Sequence, residues 1–255
     1  MSKKGFQVEL KNLILGVVIA IILIIFFTQV TDYLKHTLYA RETCRASVAA
    51  ASVSSSILPV DCSMQREDIK FDDVVKGNLV DENAIKRKFA DRLYDCWYMY
   101  GEGSLKGNPF MKEAAIFSKT NICNLCAKIT FDKKIAEKIT KVSNFEEFLK
   151  STDITGQKIK YYDFLNKKVS GELDVTVFPL LWYKSSTIGT LQLSDIYTNK
   201  DYYVIYVAFL PDAFGYIFTY NNIKYGPGDR AKWYARTMLV SADDFESLNC
   251  TKIVN

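Results

Sequence analysis

From Leu13 to Phe27 the chain reads LILGVVIAIILIIFF, with no charge and no strongly polar side chain. Carried on to Val30, the run reaches roughly 27 Å as a helix at ~1.5 Å per residue, close to the ~30 Å hydrocarbon core of a bilayer. A segment apolar on every face does not fit the surface of a soluble protein. A cleaved secretory signal needs small residues at a cleavage site. Here the run is followed by Thr28-Gln29-Val30-Thr31-Asp32-Tyr33-Leu34. The first alanine after it, Ala40, has Leu38 two positions before it, a poor site. The reading is a retained membrane helix over residues 13–30. Lys3, Lys4 and Lys11 before the run balance Lys35, Arg41 and Arg45 after it, so the positive-inside rule leaves its orientation open.

The residues before the run add a resemblance. Met1-Ser2-Lys3-Lys4-Gly5-Phe6-Gln7-Val8-Glu9-Leu10 ends a short basic stretch in Gly and passes straight into the apolar segment. This resembles the class III leader of archaeal type IV pilin-like proteins. The resemblance implies cytoplasmic cleavage between Gly5 and Phe6, a helix kept as anchor or filament core, and a chain beyond Val30 that lies outside the cell. One departure bears on filament assembly: Glu9 stands fourth after the cleavage point, where the family's carboxylate usually stands fifth.

The expected organisation is therefore a basic cytoplasmic tail or leader at 1–12, the membrane helix at 13–30, a juxtamembrane helix and linker at 31–60, and an extracytoplasmic domain at 61–255. That domain has material for a sizeable core, since 49% of the chain is hydrophobic and 14% aromatic. The formal charge of +4 is too mild for a dedicated nucleic-acid binder, so no nucleic-acid partner is expected. The expected partners are the lipid bilayer and either a second copy of the chain or another envelope protein.

Apolar steps of three and four residues continue past the bilayer through Tyr33, Leu34, Leu38 and Cys44 to Val48. Ala46–Ser56 then reads as helix end plus loop, broken by Pro59. The clearest soluble helix runs from about Glu82 to Tyr100, with Ile85, Phe89, Leu93, Cys96, Trp97 and Tyr100 in one stripe. Asp81 or Asn83 can cap its start, and Gly101 or Gly103 its end. Shorter helices are expected at Lys133–Val142 and Phe145–Lys150, the second capped by Asn144. Strands are expected at Ala114–Ser118, Ala127–Phe131, Leu173–Phe178, Tyr202–Leu210, Tyr216–Tyr220, Lys232–Val240 and Cys250–Val254. Tyr202–Leu210 is too apolar for one wetted face and reads as a central strand. Tyr225–Asp229 reads as a turn. Strands gathered after helices predict an α+β domain with a mainly antiparallel sheet and a few helices.

All six cysteines, Cys44, Cys62, Cys96, Cys123, Cys126 and Cys250, follow the membrane helix. On an oxidising side they allow three disulfides, with 15 connectivities open. Proximity favours Cys44–Cys62, which would fasten the juxtamembrane helix to the domain, and Cys96 is placed to tie the long helix to the sheet. Cys123-Asn124-Leu125-Cys126 is the sharpest chemical motif. Thiol–disulfide exchange needs its first cysteine at a helix N-terminus, which lowers the thiol pKa. Here the second cysteine leads into strand-forming residues. A zinc site needs two more ligands, and the chain has one histidine, His36, beside the membrane. No metal or cofactor is expected, and an oxidoreductase using Cys123 and Cys126 is the alternative to a structural or binding protein.

Acidic pairs at Asp72-Asp73, Glu146-Glu147 and Asp243-Asp244 fit a solvated surface or helix caps better than general acid–base work. The aromatic groups Trp97-Tyr98-Met99-Tyr100, Tyr161-Tyr162 and Trp182-Tyr183 fit core and cross-strand packing better than an exposed stacking platform. Asn249-Cys250-Thr251 is a formal glycosylation sequon, disfavoured if Cys250 is bridged.

Overall fold

The structure is a computed structural model. It describes residues 15–28, 39–53, 59–103, 122–166, 181–182, 195–209, 234–248, 250 and 252–254. The chain divides into two units, Met1–Glu42 and Thr43–Asn255.

In the first unit, helix α1 covers residues 15–28, and every side chain along it is exposed. Leu15, Val17, Ile22, Ile24, Phe26 and Phe27 each leave half or more of their surface uncovered. At ~1.5 Å per residue the described helix is shorter than a bilayer core. Among the described residues no helix is long and apolar enough to cross a membrane. A membrane span over 13–30 is thus not shown, and its two outer residues at each end lie outside the described residues.

The second unit is α+β. Helix α2, Ala40–Val53, buries Cys44, Val48 and Ala51, which lie on one helical face. The helix reaches Val53, within the Ala46–Ser56 stretch where a helix end plus loop is expected. Helix α3, Glu82–Met99, is where its stripe predicts. Asp81 is the cap: its carboxylate accepts from the Asn83 and Ala84 amides at 3.0 and 3.2 Å. After Tyr100 the chain turns through Gly101 at φ +70°, the left-handed conformation glycine adopts without steric cost. Three short helices come later in the chain: α4 (Lys133–Lys138), α5 (Phe145–Ser151) and α6 (Tyr161–Leu165).

The main sheet has the order β1 (Gln65–Ile69), β4 (Ile122–Phe131), β8 (Tyr202–Phe209), β9 (Tyr234–Ser241), β6 (Leu181–Trp182), with β10 (Lys252–Val254) beside β4 as well. Two small antiparallel ribbons accompany it. They are β2 (Val75–Lys76) with β3 (Leu79–Val80), and β5 (Lys141–Ser143) with β7 (Asp195–Tyr197).

The sheet is mixed, which corrects the expectation of a mainly antiparallel one. β4–β8 and β8–β9 are antiparallel. β1–β4, β10–β4 and β6–β9 are parallel. The reason lies between β1 and β4: the connection carries α3, and a helical crossover returns the chain to run the same way. β1 itself was invisible in the sequence because QREDI has one apolar residue, Ile69, at its buried end. It stands at the sheet edge, where charged residues are tolerated.

β8 is the central strand expected, and it is buried on both faces. Tyr202, Val204 and Tyr206 meet Phe89, Leu93 and Trp97 in one cluster, while Ile205 and Val207 join Met238, Val240 and Leu248 in the other. Helices α3, α5 and α6 supply the first face. The second is covered by a short helical turn at Ala242–Leu248.

Three further expectations change. Helix α4 stops at Lys138, not Val142, because Lys141–Ser143 pairs with Asp195–Tyr197 as a ribbon. Asn144 precedes α5 but gives no side-chain cap, its own backbone lying in the left-handed region at φ 60°. The strand of Ala127–Phe131 is extended back to Ile122. The strands expected at Ala114–Ser118, Leu173–Phe178 and Tyr216–Tyr220, and the turn at Tyr225–Asp229, lie outside the described residues.

Candidate functional site

All six cysteines are paired: Cys44–Cys62, Cys96–Cys126 and Cys123–Cys250, with Cα separations of 4.5, 5.4 and 5.6 Å. Cys44–Cys62 joins α2 to the segment before β1. Cys96–Cys126 joins α3 to β4, the helix-to-sheet tie expected of Cys96. Cys123–Cys250 joins β4 to the segment leading into β10.

The structure does not join Cys123 to Cys126. The two point to opposite faces of β4, because an odd spacing along a strand does so. A β-bulge then shifts the register: Leu125 stands opposite Ile205 and Ala127 opposite Val204, leaving Cys126 as the extra residue. Ala127 and Ile129 consequently share the helix-facing cluster with Cys126, while Cys123 and Leu125 belong to the other. Neither cysteine stands at a helix N-terminus, and both are buried. Thiolate activation therefore has no structural support at this pair.

Around the first bridge, α2 is fastened to the domain by side chains the sequence did not single out. The Arg45 guanidinium donates to the Tyr98 carbonyl at 2.8 Å and to Glu102 Oε1 at 3.1 Å, and it lies 3.8 Å above the Tyr98 ring. Glu102, its acidic partner, holds a left-handed backbone at φ 56°, rare for a residue with a side chain. Ser47 Oγ accepts from the Asp61 amide at 2.9 Å, one residue from Cys62. Arg45 sits between two buried positions of a helix, and that placement was its sole signal in the sequence.

Two charged clusters flank α3. Glu67 on β1 accepts from Lys88 at 2.8 Å and from Arg92 at 2.8 and 3.0 Å. Arg92 also reaches Asp95 and Gln65, and Lys88 reaches Asp73. This network helps to hold β1: its polar side chains meet ions on α3, while Ile69 joins the core and the backbone pairs with β4. The partners of Lys88 raise its pKa against the burial that opposes them. On the other side of α3, the Tyr161 hydroxyl donates to Asp91 Oδ1. Burial raises the Asp91 pKa, and neighbouring Asp95 adds to this. The Tyr161 phenol is likewise pushed up by burial and by the Asp91 charge.

The acidic pairs take ordinary partners: Asp73 with Lys88, Glu146 with Lys150, Asp243 with Lys200, and Asp244 with Ser241. Of the aromatic groups, Trp97, Tyr100 and Tyr161 are in the core. Tyr98 and Tyr162 pack partly buried against it. Tyr98 also stacks on Tyr94. Gly5, Phe6, His36, Asn249 and the Trp182 side chain lie outside the described residues. Among the described residues no group of three or more His, Cys, Asp or Glu side chains is arranged to hold a metal ion.

The described geometry is thus a stapled α+β unit in which disulfides tie α2 to the segment before β1, α3 to β4 and β4 to the segment before β10, and ion pairs tie α3 to β1. Compared with protein-family models, with curated proteins and with solved structures, the chain has no match in any of the three.

Proposed function

We propose that the chain is a single-pass envelope protein whose helix at 13–30 anchors it in a bilayer and whose disulfide-stapled domain, on the non-cytoplasmic side, has a structural or binding role. The pairing of all six cysteines carries this reading, because disulfides form and persist in oxidising compartments. The exposed apolar helix α1 supports the anchor, since exposing side chains of that kind costs free energy in water and not in lipid. Pilin-like self-association belongs to the same proposal. It is favoured by the leader-like N-terminus and by Ala46, Ala49, Ala50 and Val53, small residues exposed along one face of α2.

Membrane fractionation with thiol labelling tests it. The full-length protein should stay with membranes through an alkaline carbonate wash. Its six cysteines should resist a maleimide reagent until a reductant is added, and added protease should reach the domain in intact cells. A soluble protein with freely reacting thiols overturns the proposal. A membrane-bound protein protected from external protease overturns its orientation.

A further inference from the structure

The helix-facing side of the sheet changes character partway along its length. The row Ala127, Val204, Leu239 is apolar and buried. The next row on that face is Asn124, Tyr206, Thr237: Asn124 stands directly opposite Tyr206, and Tyr206 directly opposite Thr237. Directly opposed residues bring their side chains within contact of one another. The end of α3 joins this row through Trp97, its ring 6.4 Å from that of Tyr206, and through Tyr100 just beyond the helix, stacked on Tyr206 at 4.0 Å.

Four polar atoms here are buried without a hydrogen-bond partner among the described residues: Trp97 Nε1, Asn124 Nδ2, Asn124 Oδ1 and Thr237 Oγ1. Asn124 is 1% exposed, Trp97 1% and Thr237 4%. Three other polar groups in the core are met. Tyr161 donates to Asp91, the Tyr202 hydroxyl accepts from the Tyr197 amide, and Thr198 donates to the Ile139 carbonyl. Leaving a buried polar atom unpaired costs more than making its bond gains, so four together weigh on the scale of a domain's net stability. Such a cost persists where something the protein binds meets those atoms.

We propose that the row Asn124–Tyr206–Thr237, under the Trp97 and Tyr100 rings, is a binding site for a small uncharged polyol. The indole and amide N–H groups donate, the amide oxygen accepts, and the threonine hydroxyl does either, which matches hydroxyls that do both. No ionised side chain is among the five, and burial keeps the Tyr100 and Tyr206 phenols protonated, so a charged ligand would meet no counter-charge. The aromatic rings supply apolar surface for the carbon skeleton of the ligand. The site gives the binding role a location and depends on nothing about the anchor, so either can fail alone.

The test is NMR of the full-length, oxidised protein in detergent micelles, observing the Trp97 indole N–H, assigned with Trp97→Phe. Glycerol and methyl glucoside are the probes, and sodium lactate is the charged control. A saturable shift with either polyol and none with lactate is expected. Thr237→Val and Asn124→Leu should each weaken the response about tenfold, the effect of losing one or two neutral hydrogen bonds. Thr237→Val preserves shape, so it stays informative if Asn124→Leu does not fold. The proposal is overturned by shifts that do not saturate, by equal affinity in Thr237→Val, or by an indole in contact with a bound water that no polyol displaces.

Discussion

Removing the bridges one pair at a time should rank them by the length of chain each one closes. Cross-linking restricts the unfolded ensemble, and the entropy removed grows with the logarithm of the loop. The separations are 18 residues for Cys44–Cys62, 30 for Cys96–Cys126 and 127 for Cys123–Cys250. The loop relation converts these to about 3.2, 3.6 and 4.9 kcal/mol at 25 °C. Replacing each pair by alanine and unfolding the protein in urea, followed by tryptophan fluorescence, gives the three costs directly. Cys123→Ala/Cys250→Ala should be the most damaging and Cys44→Ala/Cys62→Ala the least, with about 1.7 kcal/mol between them. Because two of the loops overlap, losing all three bridges costs less than their sum. It still falls within the ~5–15 kcal/mol that a domain has in all, so full reduction should unfold it. If Cys44–Cys62 proves as costly as Cys123–Cys250, the chain-entropy reasoning is wrong here and native contacts around α2 set the cost instead.

Three further substitutions test the ties around α3. Asp91→Asn should stabilise the domain at neutral pH. Because folding raises the Asp91 pKa, its stabilising share is complete below the unfolded value near 3.8 and is lost as pH rises through the folded value. A urea series from pH 3 to 8 should therefore show wild type falling behind the variant as pH increases, and parallel curves would refute this. Asp81→Ala should cost about 1 kcal/mol for the lost cap. The hydrogen bond from Lys76 holds the Asp81 carboxyl below its usual range, so that share of stability is present above pH ~3.8 and disappears as pH falls through the lowered value. The variant should lack this acid-side loss. Arg45→Met should cost about 1–2 kcal/mol, since the residue gives up a charged hydrogen bond, a half-exposed ion pair and a ring contact. A double-mutant cycle with Glu102→Gln that shows no coupling would count against the Arg45–Glu102 tie.

Elements with a strong local signal were legible before the structure. The α3 stripe, a cap at Asp81 or Asn83 and the apolar run of β8 all follow from periodicity and from capping groups, which are properties of neighbours in sequence. β1 was not legible, because the partners of its polar side chains, Lys88 and Arg92, stand on another element and only Ile69 of its own residues is apolar. The end of α4 was missed for a related reason: Val142 fits a helical pattern but is taken by the ribbon partner Ile196. The bulge at Cys126 had no signal in a strand that otherwise alternates.

The sequence by itself determined that the chain carries an apolar N-terminal run, that its later part can fold with helices and a central strand, and that its cysteines suffice for three bridges. These are one-dimensional facts of pattern and count. The tertiary structure decided the direction of the strands, the sorting of Cys123 and Cys126 to opposite faces, and the meeting of Trp97 on α3 with the row Asn124, Tyr206 and Thr237. Each of those depends on which residues meet across large separations, and pairing energies between distant residues leave no trace in local order.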